Sequence, residues 1–112
     1  HAGAEELPLS GEASERAERY LEAVASGKPA NLLRLCAALE KLDGGDAAEF
    51  VEAGRRRVCE MLCRRADNLG MTNARLLSLE KLLARAAEYL RMNVGVRHIC
   101  GLLAVQPFLE EK

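Results

Sequence analysis

"EYLRMNVGVRHICGLL", residues 88–103, carries an amphipathic helical pattern into Asn93-Val94-Gly95, breaks off, and begins a second apolar run at once. The arm before the break continues a stripe of Leu79, Leu82, Leu83, Ala86 and Leu90 and ends near Met92. Spacings of three and four in such a stripe mark a helix that buries one face. The arm after it, "VRHICGLLAV", covers residues 96–105, stops before Pro107 and has Arg97 as its one full charge. A break this tight between two apolar helices predicts an antiparallel helical hairpin, with Asn93 capping the second arm. A helix apolar nearly all round has to be covered on most sides. A bundle built from 112 residues covers it on two sides, which leaves the third for a neighbouring subunit.

The same periodicity recurs upstream. A first helix is expected from about Glu12 to Ala25, with Ala13, Ala17, Tyr20, Leu21 and Val24 as its apolar stripe and Ser26-Gly27 as its end. Pro29 suits the first turn of a second helix, where its missing N–H costs nothing. Leu32, Leu35, Cys36, Leu39 and Leu42 line one side of that helix, and Asp43-Gly44-Gly45 stops it. A third helix opens with Asp46 as N-cap and Glu49 three residues later, a reciprocal capping pair, and continues to about Ala66. Phe50, Val51, Gly54, Val58, Met61 and Leu62 share its apolar sector. Glu52–Arg56 and Glu60–Arg64 are i, i+4 pairs with the acid first, the favourable order. "DNLGMTNAR", residues 67–75, is a polar connection in which Thr72 or Ser78 caps the fourth helix. No strand-like alternation, internal repeat or low-complexity tract interrupts these helices. The sequence therefore predicts an all-α fold, a single bundle of about five helices over residues 12–108. Residues 1–11 read as an interdomain linker or expression scar, and 109–112 as a tail.

Sixteen basic residues against seventeen acidic ones leave a formal charge of −1. A dedicated nucleic-acid binder carries a basic excess or a basic face. Base stacking needs aromatic platforms, and the chain offers only Tyr20, Phe50, Tyr89 and Phe108. No run approaches the ~20 apolar residues of a membrane span, and no secretory signal pattern opens the chain. All four cysteines (Cys36, Cys59, Cys63 and Cys100) lie within apolar helical patterns, not in the loops of a disulfide scaffold. They read as reduced, mostly buried residues of a cytoplasmic protein.

Candidate chemistry is sparse. Cys59 and Cys63 fall on one flank of a helix and, with His98 and Cys100, are four residues of zinc-ligating type. Structural zinc sites favour Cys-x-x-Cys knuckles in loops, whereas this pair is mid-helix beside the apolar sector. A Cys–His nucleophile pair from the same residues lacks a thiolate-stabilising setting and an orienting third group. Arg55-Arg56-Arg57 and Arg64-Arg65 point around the whole helix and read as a solvated, ion-paired surface rather than a phosphate stripe. "LDGGDAAEF" lacks the lysine-serine ending and preceding strand of a phosphate loop. The expectation is a non-catalytic domain with no metal, cofactor or small-molecule substrate.

"LLSLEKLLARAAEYLRMNVGVRHICGLL", residues 76–103, resembles the closing segment of the delta-prime subunit of the bacterial DNA polymerase III clamp loader. That family ends in a helix, an Asn-Val-Asn-x-Arg-like junction and a final leucine-rich helix. The junction here reads Asn93-Val94-Gly95-Val96-Arg97, with Gly95 where the family usually has its second asparagine. "RYLEAVASGKPANLLRLCAALEK", residues 19–41, is similar to the family's preceding helices, and the resemblance covers roughly residues 13–108. It implies a C-terminal collar domain, through which five subunits join into the ring that places a sliding clamp on primed DNA. It further implies that the partners are other clamp-loader subunits, with no tight nucleic-acid binding by this region and no membrane. Asn93, Arg97 and His98 are the expected subunit-interface residues. For Arg97, a contact with a partner and simple solvation stand equal. The collar domain of the delta or gamma/tau subunit, and an unrelated all-α adaptor that binds a partner helix, are the alternatives.

Overall fold

The computed structural model describes residues 10–109, which form five helices and, within that range, no strand. Helix α1 (Gly11–Ser26) starts where the Ser10 hydroxyl accepts from the Ala13 N–H at 3.0 Å, and stops at Gly27, whose φ of 73° suits glycine. Ala13, Ala17, Tyr20, Leu21 and Val24 are all buried, as their spacing predicts. Helix α2 (Pro29–Leu39) has Pro29 in its first turn and buries Leu32, Cys36 and Leu39. It ends before Leu42, which still packs against the core from the following turn. Helix α4 (Asn73–Arg91) is capped by Thr72, whose hydroxyl accepts from Arg75 N–H at 3.1 Å. The expected linker at 1–11 and tail at 109–112 lie largely outside the described residues, although Gly11 and Leu109 are helical.

Helix α3 (Gly44–Leu62) differs from expectation at both ends. Its N-cap is Asp43, not Asp46: the Asp43 carboxylate accepts from the Asp46 N–H at 2.8 Å. Gly44 and Gly45, taken as a break, thereby become its first turn. Glu49, free of capping duty, accepts instead from the Ser10 N–H at 3.3 Å and ties α3 to the start of α1. At the other end the helix closes at Leu62, one turn before Ala66. Arg64, at φ 62°, takes the left-handed position that usually holds glycine. Its N–H donates to Met61 O (3.1 Å) and the Arg65 N–H to Glu60 O (2.8 Å), the paired bonds of a Schellman cap. Arg64 is therefore out of register with Glu60, whose partner is Arg57 at 3.3 Å, while the expected Glu52–Arg56 pair forms at 3.4 Å.

Asn93 closes α4 in the same way. At φ 64° it sits one residue past the cap, donating to Leu90 O (3.1 Å), while Val94 N–H reaches Tyr89 O at 2.9 Å. Asparagine tolerates this conformation better than most residues. It ends the first arm of the hairpin rather than capping the second. Helix α5 (Val96–Leu109) starts from Gly95, whose carbonyl accepts from Ile99 N–H at 3.2 Å.

Packing joins the helices into a cycle: α1 lies against α2 and α3, α3 against α4, α4 against α5, and α5 against α2. Gly54 sits where α3 crosses its neighbours; a Cβ there would lie 3.3 Å from a Leu83 methyl and 4.0 Å from Ala17 Cβ. Arg57 and Arg55 then clip α3 on either side, to Glu18 of α1 (2.9 Å) and Glu80 of α4 (3.1 Å). These two arginines join elements and are not merely solvated. Tyr20 is fully buried and spans the cycle, with its ring edge-on to Phe50 at 5.7 Å and its hydroxyl donating to Leu103 O at 3.0 Å.

That last bond explains the largest departure from sequence expectation. Helix α5 does not stop before Pro107 but runs through it to Leu109. A proline in a helix has no N–H for the carbonyl four residues back, which normally breaks the helix. The carbonyl left without its helical donor is that of Leu103, and the Tyr20 hydroxyl supplies the missing hydrogen bond. Pro107 itself is buried.

Candidate functional site

Two lines of evidence place the best candidate surface on α2 and α5. The Arg97 Nε to Glu40 Oε1 pair (3.5 Å) joins the start of α5 to the end of α2. Cys36 and Cys100, one turn inward on each helix, lie close enough to act on each other electrostatically. Both pairings require an antiparallel α2–α5 arrangement. The same register brings Leu33 level with Val105, about eight residues or ~12 Å along α5 from Arg97.

Leu33, Ala37 and Glu40 are exposed along α2; Arg97, His98, Gly101 and Val105 are exposed along α5. Spacings of three and four put each set on one helical face. The inner face of α5 is by contrast buried through Ile99, Cys100, Leu103 and Ala104. The most apolar helix of the chain is thus covered by its own domain on the inside and open on the outside. The open face is graded: Leu33 (55 % exposed) and Val105 (47 %) at one end, small Ala37 and Gly101 in the middle, and the Arg97–Glu40 pair with His98 at the other. A Cβ on Gly101 would meet no atom within 4 Å. Such a strip admits the close approach of another helix and offers it a charge to pair with.

Of the three expected interface residues, Arg97 and His98 are on this face. The Arg97 side chain is 88 % exposed, so its pairing with Glu40 leaves most of the guanidinium open. Asn93 is exposed but serves the α4 terminus. Leu33, Ala37 and Glu40 escaped sequence reasoning because they become neighbours of α5 only through the bundle's register. Leu33 carried a local signal, being a leucine outside the Leu32–Cys36–Leu39 stripe.

The cysteines divide into two pairs, which corrects the expectation that most are buried. Cys36 and Cys100 are buried between α2 and α5; Cys59 and Cys63 are exposed at the end of α3. Desolvation pushes Cys36 up to about 12 and Cys100 up to about 11, so both are neutral thiols at physiological pH. Burial first, then the carboxylate of Glu80, raises Cys59 as well. None of these settings stabilises a thiolate nucleophile. Among the described residues no three His, Cys, Asp or Glu side chains converge as metal ligands.

A polar hollow of about 320 Å³ lies beside the α3–α4 connection, lined by Met61, Arg64, Ala66, Asp67, Asn68 and Asn73. It lacks the enclosed, mostly apolar walls of a small-molecule site. No described helix is long and apolar enough to cross a membrane. No protein family, curated protein or solved structure matches the chain.

Proposed function

We propose that this chain is a non-catalytic oligomerisation domain of the collar type, from a delta-prime-like subunit of a bacterial DNA polymerase III clamp loader. The observation that carries the reading is the open α2–α5 face, where the most apolar helix of the chain keeps Val105 and Gly101 uncovered beside the projecting Arg97. An apolar patch with a charged rim is the ordinary composition of a subunit contact. The resemblance of residues 76–103 to the family's closing segment adds the identity of the partners: the other subunits of the loader ring. In that assembly the domain's task is mechanical. It holds one position in the ring so that nucleotide-dependent neighbours can open the clamp and place it on primed DNA.

The reading requires a nucleotide-binding-like module encoded directly upstream of this region. It is tested by co-expressing the full parent protein with the remaining loader subunits and measuring the product's mass by light scattering. One copy of the parent in a five-subunit complex supports the proposal. A parent that elutes alone, with the other subunits assembled without it, sinks it.

A further inference from the structure

Cys59 and Cys63 have no part in the α2–α5 surface or in the core. They stand one helical turn apart at the end of α3, both exposed, and Cys63 is close enough to act electrostatically on Cys59. Residues at this spacing have Cβ atoms about 5–6 Å apart on one face. Two metal–thiolate bonds laid end to end span on the order of 5 Å, a length that matches this spacing for a linear S–metal–S unit. A tetrahedral zinc ion needs four ligands, and the described residues bring no third ligating group to this pair. Soft thiolates alone select soft cations. The pair sits at the C-terminal end of a helix, which attracts cations; Glu80 and Glu52 also act on Cys59, although both are ion-paired, with Arg55 and Arg56 respectively.

We propose that Cys59 and Cys63 form a two-thiolate site for one thiophilic monovalent d10 cation, of which the cuprous ion is the physiological member. Binding forms two metal–sulfur bonds and breaks two S–H bonds, releasing two protons to solvent for each cation taken up; no electron is transferred.

The test titrates the fully reduced 112-residue chain with cuprous ion, without oxygen, against the chromophoric chelator bicinchoninate. One ion per chain is expected to resist the chelator. Cys59→Ser and Cys63→Ser should each weaken retention by about a hundredfold, the loss expected when a chelate becomes a single ligand. Both positions are exposed, so each variant should melt as the parent does. In parallel, one equivalent of cuprous ion should protect Cys59 and Cys63 together from alkylation, read by peptide mapping. The proposal is overturned if either serine variant retains the ion as well as the parent, if only one of the two thiols is protected, or if the ion drives the chain into a copper-bridged dimer.

Discussion

Removing one hydroxyl, in Tyr20→Phe, tests whether α5 survives Pro107 because of a hydrogen bond from another helix. The Tyr20 hydroxyl reaches Leu103 O at 3.0 Å from a fully buried ring, and Pro107 cannot supply the helical donor that this carbonyl lacks. Phenylalanine keeps the ring and its edge-on contact with Phe50 but leaves a buried carbonyl unsatisfied, which costs about 1–3 kcal/mol. In a domain of this size each 1 kcal/mol lowers the melting temperature by roughly 4–8 °C. Pro107→Ala restores an N–H to the Leu103 carbonyl. In that background Tyr20→Phe removes only one of two hydrogen bonds, and its cost should fall to about 0.5–1 kcal/mol, the usual net value of such a bond. The double-mutant cycle therefore predicts a coupling of about 1 kcal/mol between residues on different helices. Urea unfolding with an unchanged m-value measures all four corners. If Tyr20→Phe costs the same with and without Pro107, the reasoning is wrong, because the carbonyl is then satisfied by something else.

Other outcomes follow from the local geometry. Arg64→Gly should stabilise the chain by about 1 kcal/mol, since Arg64 holds a left-handed position at φ 62° that glycine adopts without strain; a lowered melting temperature would refute the assigned cap. Asp43→Ala should cost about 1 kcal/mol and Asp46→Ala much less, because the Asp43 side chain caps α3; the reverse order would return the cap to Asp46. Stability should decline above pH 9, as Cys36 and Cys100 fold with pKa values raised to about 12 and 11 from the ordinary 9.0. Raised acids favour the folded state fully below the unfolded pKa and lose that contribution as pH climbs toward the folded values. The slope is up to about 1.4 kcal/mol per pH unit for each thiol. Urea midpoints that stay level from pH 8 to about 10.5 would contradict the burial of these two thiols.

What the sequence revealed was the set of faces. Ala13 to Val24, Leu32 to Leu39 and Phe50 to Met61 bury the residues their spacing predicts, except that Leu35 is only half-buried, because helix periodicity is a local property of the chain. The ends were harder, since several residues there have competing local uses. Asp43 and Asp46 are both good caps, and Asn93 suits the end of one helix as well as the start of another. Cys59 and Cys63 were misplaced because cysteine counts as apolar in any pattern, whereas their angular position lies outside the buried sector of α3. The passage of α5 through Pro107 was invisible, for its compensating donor is Tyr20, 83 residues away. The candidate surface shared that fate in part. Arg97 and His98 stood out as polar residues in an apolar helix, but the α2 half of the face exists only after folding.

The claim that the open α2–α5 face is an assembly surface is tested most directly by Arg97→Glu combined with Val105→Asp in the full parent protein. Both side chains project into solvent, Arg97 at 88 % and Val105 at 47 % exposure, so helix content and melting temperature should barely change. The measurement is incorporation of the variant into the loader in competition with the unaltered parent, quantified by mass spectrometry of the purified complex. Reversing a rim charge and burying a carboxylate in an apolar contact should disfavour the variant by about tenfold, or 1.4 kcal/mol, or more. Equal incorporation of the two forms, with the variant fully folded, would contradict the assignment of this face.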